Sequence, residues 1–341
     1  MHNFVDSMGT VLEHYHLSNN LYSITIELLS HCNWDCLYCY FPERVDILPY
    51  NIVIEVLNDA RKLGAYEVVF TGGEIFTRDD IFLIIEYARN LGFSVVLMTN
   101  ISLLSDETIK KLSELSISSV SCSLFSIDSH IHNTITQRKG SHEAVMRNLT
   151  LLRASGINTI VKMTVLKLNY KEISALQSFC INNGYIFKVD VAVFSKLDGN
   201  RHPHTLSLSN DELDSVIEEC DNINGYEYYP ERDRLEAFVC GQMRIALSIN
   251  PKGDINPCNR MPFALGNVFS DSICDVWKKS QMLKKFTNAK YKDCTKCTSC
   301  SCIKFCVRCP GNAFVEDDGY DNCSTLSEKI AKSRIRVYGN K

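Results

Sequence analysis

"HCNWDCLYCYF" (residues 31–41) ends the first apolar run of the chain and spaces Cys32, Cys36 and Cys39 as C-x3-C-x2-C. Two or four such neighbours would suggest a disulfide or a closed tetrahedral metal site, but three thiolates leave one coordination place open. Thiolates bind soft metals, and a [4Fe–4S] cube held by three cysteines keeps its fourth iron free for a small molecule. Zinc suits the trio less well, because His31 is adjacent in sequence and its side chain would normally point elsewhere. Spacing alone leaves a zinc site and unrelated thiols as the alternatives.

The trio sits in a repeating pattern. Residues 23–29 read as a strand and 51–64 as a helix closed by Gly64. Strand and helix follow at 67–73 and 78–92, at 94–100 and 106–115, and at 117–125 and 142–156. A fifth strand spans 159–166, before a helix from Asn169 whose "NYKE" resembles an N-cap, and a sixth spans 186–194. "SNDE" (209–212) reads as a capping box. Six β/α units with nearly continuous apolar strands predict a parallel sheet covered by helices on one side. In barrels of this kind the chemistry lies at the C-terminal strand ends. There the chain places the trio, "TGGE" (71–74), "TN" (99–100) and Ser123.

The 341 residues carry a net charge of −4, which gives no electrostatic case for nucleic acid or an acidic membrane surface. No signal peptide or apolar run of transmembrane length is visible, so a cytoplasmic protein without a membrane partner is expected. Sixteen cysteines in that compartment are not a disulfide framework. Six fall in residues 1–239 and ten in 240–341, which predicts a metal-rich module at the C-terminal end.

The trio after strand 1, with an aromatic before its last cysteine, resembles the signature of the radical S-adenosylmethionine (SAM) superfamily. Gly72, Gly73 and Glu74 match the family's Gly-Gly-Glu motif, which contacts the methionine amino group. Tyr38 matches the aromatic near the adenine, Thr99 and Asn100 the strand-3 pair, and Ser123 the cofactor-contacting serine. Three positions depart from the family. Ile101 stands where many members have glycine, Phe125 replaces an acidic residue, and the usual arginine falls nearer Thr136 than Arg138. The resemblance implies a partial (β/α)6 TIM-like barrel, SAM bound at the open iron of the Cys32/Cys36/Cys39 cluster, and a 5′-deoxyadenosyl radical.

The C-terminal module resembles the SPASM extension of such enzymes, through Gly253–Cys258, Gly266–Asn267, Trp277 and the "CPG" at 309–311. That likeness implies one or two auxiliary [4Fe–4S] clusters. The family pattern falls on Cys297, Cys300, Cys306 and Cys309, with the last gap one residue short. By this register Cys297, Cys300, Cys306 and Cys323 hold one cluster, and Cys240, Cys258 and Cys309 part of another. Cys294 or Cys302 could complete the second, and a competing register of Cys294, Cys297, Cys302 and Cys306 stays open. Structural zinc is the bland alternative.

The expected layout is an extension (1–20), a radical SAM barrel (21–225) and a SPASM domain (226–341), with the boundary in the polar stretch 221–237. Cys122, Cys180 and Cys220 read as buried or incidental thiols and Cys274 as much the same. "HPH" (202–204) reads as a solvated loop. His130, His132 and Asp190 supply no assignable base, so the catalytic residue is unknown. The resemblance implies oxidation, a thioether or a C–C cross-link in a ribosomally made peptide, with a ferredoxin or flavodoxin as electron donor. Sulfatase-maturase-like Cys or Ser oxidation and sugar-alcohol dehydrogenation are the alternatives. A non-catalytic iron–sulfur or zinc-binding module is the third. Only about 20 residues precede strand 1, so the expectation is either a separate leader-binding protein or a substrate recognised otherwise.

Overall fold

The computed structural model describes residues 2–226 and 234–339. Helix α1 (His2–Leu17) precedes six β/α repeats. These are β1 (Ser23–Glu27) with α2 (Tyr50–Lys62), β2 (Glu67–Thr71) with α3 (Ile81–Asn90), and β3 (Ser94–Met98) with α4 (Asp106–Glu114). Next come β4 (Ser119–Ser123) with α5 (Ser129–Thr136) and α6 (Ser141–Ala154), β5 (Thr159–Thr164) with α7 (Ile173–Asn183), and β6 (Ile186–Asp190) with α8 (Asn210–Asn224). The cysteine-rich module adds β7 (Ala246–Ile249), β8 (Asp254–Asn256), β9 (Gly266–Asn267), α9 (Ile273–Lys279), α10 (Gln281–Asn288), α11 (Pro310–Glu316) and α12 (Thr325–Tyr338). The class is α/β, with mostly parallel strands that do not close into a barrel. The stretch 221–237 is described only at 221–226 and 234–237, so the centre of the expected boundary lies outside the described residues.

Two compact units emerge. The first comprises Met1–His31, Glu43–Met98 and Cys240–Ala289. Its strands run in the order β3-β2-β1-β7-β8-β9, parallel up to β7 and antiparallel beyond it. β1 is buried along its whole length, as expected of a central parallel strand. α2 buries Val53, Val56, Leu57 and Ala60, the i, i+3, i+4, i+7 stripe of an amphipathic helix. β7 and β8 form the expected hairpin. Gly253 turns it at φ +86°, and a β-carbon there would lie 2.7 Å from the Phe269 ring.

The second unit comprises Cys32–Pro42, Thr99–Val239 and Lys290–Lys341. Its parallel strands run β6-β5-β4, with α6 on β5 and α7 and α8 on β6. β5 and β6 bury only alternate residues, so their apolar character is not continuous as expected. Val161, Met163, Phe187 and Val189 are covered, while Lys162, Lys188 and Asp190 stand on the uncovered face. The capping box at Ser209 and Glu212 forms as read. Asn169 does not cap a helix. Its Oδ1 accepts from Leu166 N, its Nδ2 donates to Phe125 O and Thr164 O, and α7 begins four residues later. With its amide spent on three backbone partners, Asn169 ties the ends of β4 and β5 together.

Candidate functional site

The "GGE" turn is built against the chain that leads from β1 to the cysteines. Gly73 N donates to Leu29 O at 2.7 Å and Glu74 N to His31 O at 2.9 Å. The approach excludes any side chain. A β-carbon on Gly72 (φ +134°) would lie 2.2 Å from Leu29 O, and one on Gly73 1.8 Å from His31 O. Glu74 is fully buried, and its carboxylate accepts from Phe76 N at 3.0 Å, which caps a short 3-10 turn. Arg78, also buried, donates to Leu28 O and Leu48 O and pairs with Asp80 at 2.7 Å. This ties the turn to both ends of the loop that carries the trio.

In the second unit, the trio loop rests on a helix that the sequence reading left out. Asp35 N donates to Thr136 O and Leu37 N to Ile135 O, both at the end of α5. Trp34 is buried edge-on against His132 of the same helix, with ring centroids 5.6 Å apart. Asp128 caps α5 by accepting from His130 N and Ile131 N, so the signal was present in "DSHIHNTIT". Thr136, where relatives more often carry arginine, is buried and bonded to Ser141 Oγ at 2.7 Å.

The Cys32 thiol receives two donors, Trp34 N at 3.4 Å and Asn100 Nδ2 at 3.9 Å. Asn100 also donates to Asn33 Oδ1 at 2.7 Å and accepts from Ser102 N and Oγ, while Asn33 donates to Ser102 Oγ. Asn33 and Ser102 escaped the sequence reading because their pairing spans 69 residues. Thr99 Oγ1 accepts from the N–H of Ile101, which sits in the left-handed region at φ +56° although it is β-branched and buried.

Tyr38 hydrogen-bonds Ser123 and Thr164 at the ends of β4 and β5, and burial pushes its hydroxyl well above the usual value. Its ring meets Phe125 edge-on at 5.4 Å. Phe125 is wholly buried.

In the cysteine-rich module a small recess is lined by Cys297, Cys300, Cys302, Cys306 and Cys323. The first register therefore has all four of its thiols on one recess, and the surplus Cys302 joins them. Cys294 does not line it. Its Sγ donates to Lys290 O and it shares a thiol–thiol hydrogen bond with Cys297. Cys309 lines a different cavity and accepts from Asn312 N at the start of α11. Cys240 and Cys258 belong to the other unit, both half-buried. Among the described residues no three His, Cys, Asp or Glu side chains converge on one metal-ion position. Burial raises the Cys306 thiol to about 12.

Of the residues not nominated, Cys122, Cys180 and Cys220 are buried and each held up near 12, inert as read. Cys274 donates to Asp59 O. The "HPH" segment is not simply solvated: Pro203 is buried, and His204 meets Glu316 at 3.1 Å. His130 is exposed. Asp190 accepts from Ala192 N, which leaves the base unassigned.

Comparison with known proteins joins these features. Residues 26–180 match the Radical SAM superfamily, and residues 240–301 match SPASM, an iron–sulfur cluster-binding domain. The sporulation killing factor maturation protein SkfB of Bacillus subtilis is 25% identical, over 82% of this chain and 68% of its own. An AdoMet-dependent heme synthase of Methanosarcina barkeri is 20% identical, over 87% and 93%. The structure of Streptococcus suis SuiB bound to precursor peptide SuiA aligns at TM-score 0.69 and 18% identity, covering 91% of this chain and 76% of that one, a likeness of fold. The donor set fits the implied groups: thiols grouped around a recess, N–H donors on Cys32, and a glycine turn closed to any β-carbon. The chain is thus a radical SAM superfamily enzyme with a SPASM domain, and its cofactors are S-adenosylmethionine and [4Fe–4S] clusters.

Proposed function

We propose that this enzyme abstracts a hydrogen from a peptide and matures a ribosomally made precursor by oxidation, a thioether or a C–C cross-link. When bound, the cluster and SAM supply reductive cleavage to a 5′-deoxyadenosyl radical, and the protein supplies position and dryness. Cys32, Cys36 and Cys39 hold three irons. The Gly72–Gly73 backbone and Glu74 take the methionine end of SAM, Thr99 and Asn100 steady the loop, and Tyr38 and Ser123 take the nucleoside. Phe125 keeps the wall apolar. Cys297, Cys300, Cys306 and Cys323 hold one auxiliary cluster, and Cys240, Cys258 and Cys309, with Cys294 or Cys302, serve a second. Electrons come from a flavodoxin or ferredoxin, in the reducing cytoplasm that keeps these thiols free. Among the described residues, no helix is long and apolar enough to cross a membrane.

The observation that carries this reading is the double backbone bond from the "GGE" turn to Leu29 and His31, directly before Cys32. Similarity to SkfB supports a peptide as substrate. The test is mass spectrometry of short peptides encoded beside the gene, incubated with loaded enzyme, SAM and reductant. A product two hydrogens lighter, at a mapped residue, is expected. A second reading, a small-molecule substrate, is favoured by the end-to-end match with the heme synthase. Unchanged peptides alongside a consumed tetrapyrrole would establish it.

A further inference from the structure

Arg308 lies between Cys306 and Cys309 and is 4% exposed. One of its terminal nitrogens, Nη2, donates to Tyr320 O and Asn322 O. Nε and Nη1 are buried and find no acceptor among the described residues. Leaving such donors unmade costs more than an ordinary lost hydrogen bond, because the group is charged. Another buried arginine of this unit is treated differently: Arg334 is neutralised by Asp221 through two bonds of 2.7 and 2.9 Å. Arg308 lines the recess of five thiols, where Lys296 is the other cation, and it also lines the neighbouring cavity of Cys309 and Asp221. The acid on that recess, Glu328, is paired with Lys332 at 2.7 Å through one oxygen and accepts from the Cys323 thiol through the other. Two unpartnered donors of a buried cation therefore belong to a residue that lines the thiol recess.

We propose that Arg308 is the counter-charge of the auxiliary cluster held in this recess, donating from Nε and Nη1 to its sulfurs and setting its reduction potential. The inference rests on the reading that the recess holds a [4Fe–4S] cluster. Reduction adds one electron and one negative charge to a group in a low-dielectric surround. A fixed cation alongside favours the reduced form and raises the potential. Lysine would keep the charge but lose the planar fork.

The test is a dithionite titration of the fully loaded enzyme followed by electron paramagnetic resonance. Cys306→Ala first identifies the signal of the recess, with the loss of about four irons. Full iron in that variant overturns the reading of the recess itself, whatever Arg308 does. Arg308→Gln is expected to keep its iron while the midpoint of that signal falls. The reduction equilibrium should shift at least tenfold, about 59 mV for a one-electron couple. The other clusters should not move, and Arg308→Lys should show a smaller shift. Wild-type midpoints in Arg308→Gln, or equal shifts in every cluster, overturn the proposal. If Arg308→Gln loses iron, Arg308→Lys decides. Retention with lysine supports the counter-charge, and equal loss makes Arg308 only a brace for the Tyr320 and Asn322 carbonyls.

Discussion

A β-carbon at Gly73 would stand 1.8 Å from a carbonyl oxygen, so this glycine is required by space. Gly73→Ala must push the "GGE" turn away from His31. A cost of about 1–3 kcal/mol in stability is expected from such crowding, with weaker SAM binding, read by thermal unfolding and by titration of SAM. Ile101 poses the opposite case. Its left-handed backbone costs about 1–2 kcal/mol, which glycine would relieve. Its buried side chain is worth more, since emptying such a site costs about 2–5 kcal/mol. Ile101→Gly should therefore destabilise the chain in urea despite matching the family pattern. His132 carries a pH signature. It is fully buried, and burial, with His142 nearby, lowers it to about 3, well below the value of about 6.5 in the unfolded chain. The unfolded state takes up the proton first as pH falls. Stability from this group is complete above about pH 6.5 and is lost between there and about 3, by up to 1.4 kcal/mol per unit. Urea midpoints at pH 7 and 5 should differ less in His132→Gln than in the wild type.

At the scale of elements, the β/α ladder was legible because apolar runs of strand length alternate with 3.6-residue stripes, as in 67–73 and 51–64. The ends were less so. The helix read at 78–92 starts at Ile81, because Arg78 is extended and its side chain is spent on Leu28 and Leu48. α5 was passed over between strand 4 and the longer helix after it, yet the trio loop rests on it. Asp128→Ala, which removes the α5 cap, should cost about 0.5–2 kcal/mol and make the trio cluster more labile. Iron release under a chelator, compared at the trio and at the recess, checks this.

Over the whole molecule, the motifs that name the chemistry are local in sequence, so spacing alone reached them. The groups that hold them are not. Asn33, Asn100 and Ser102 meet across nearly 70 residues, and Arg308 acquires meaning only beside Cys297 and Cys323. Spacing leaves two cluster registers open; the recess gathers the four thiols of the first with Cys302, and Cys297, Cys302 and Cys306 of the second. We propose that SAM is cleaved at the cluster held by the trio. This claim is tested most directly by quantifying 5′-deoxyadenosine from the anaerobically loaded enzyme with SAM and dithionite. The account predicts 5′-deoxyadenosine that depends on reductant and disappears in Cys36→Ala. A chain that holds its trio cluster and SAM yet yields none would contradict it.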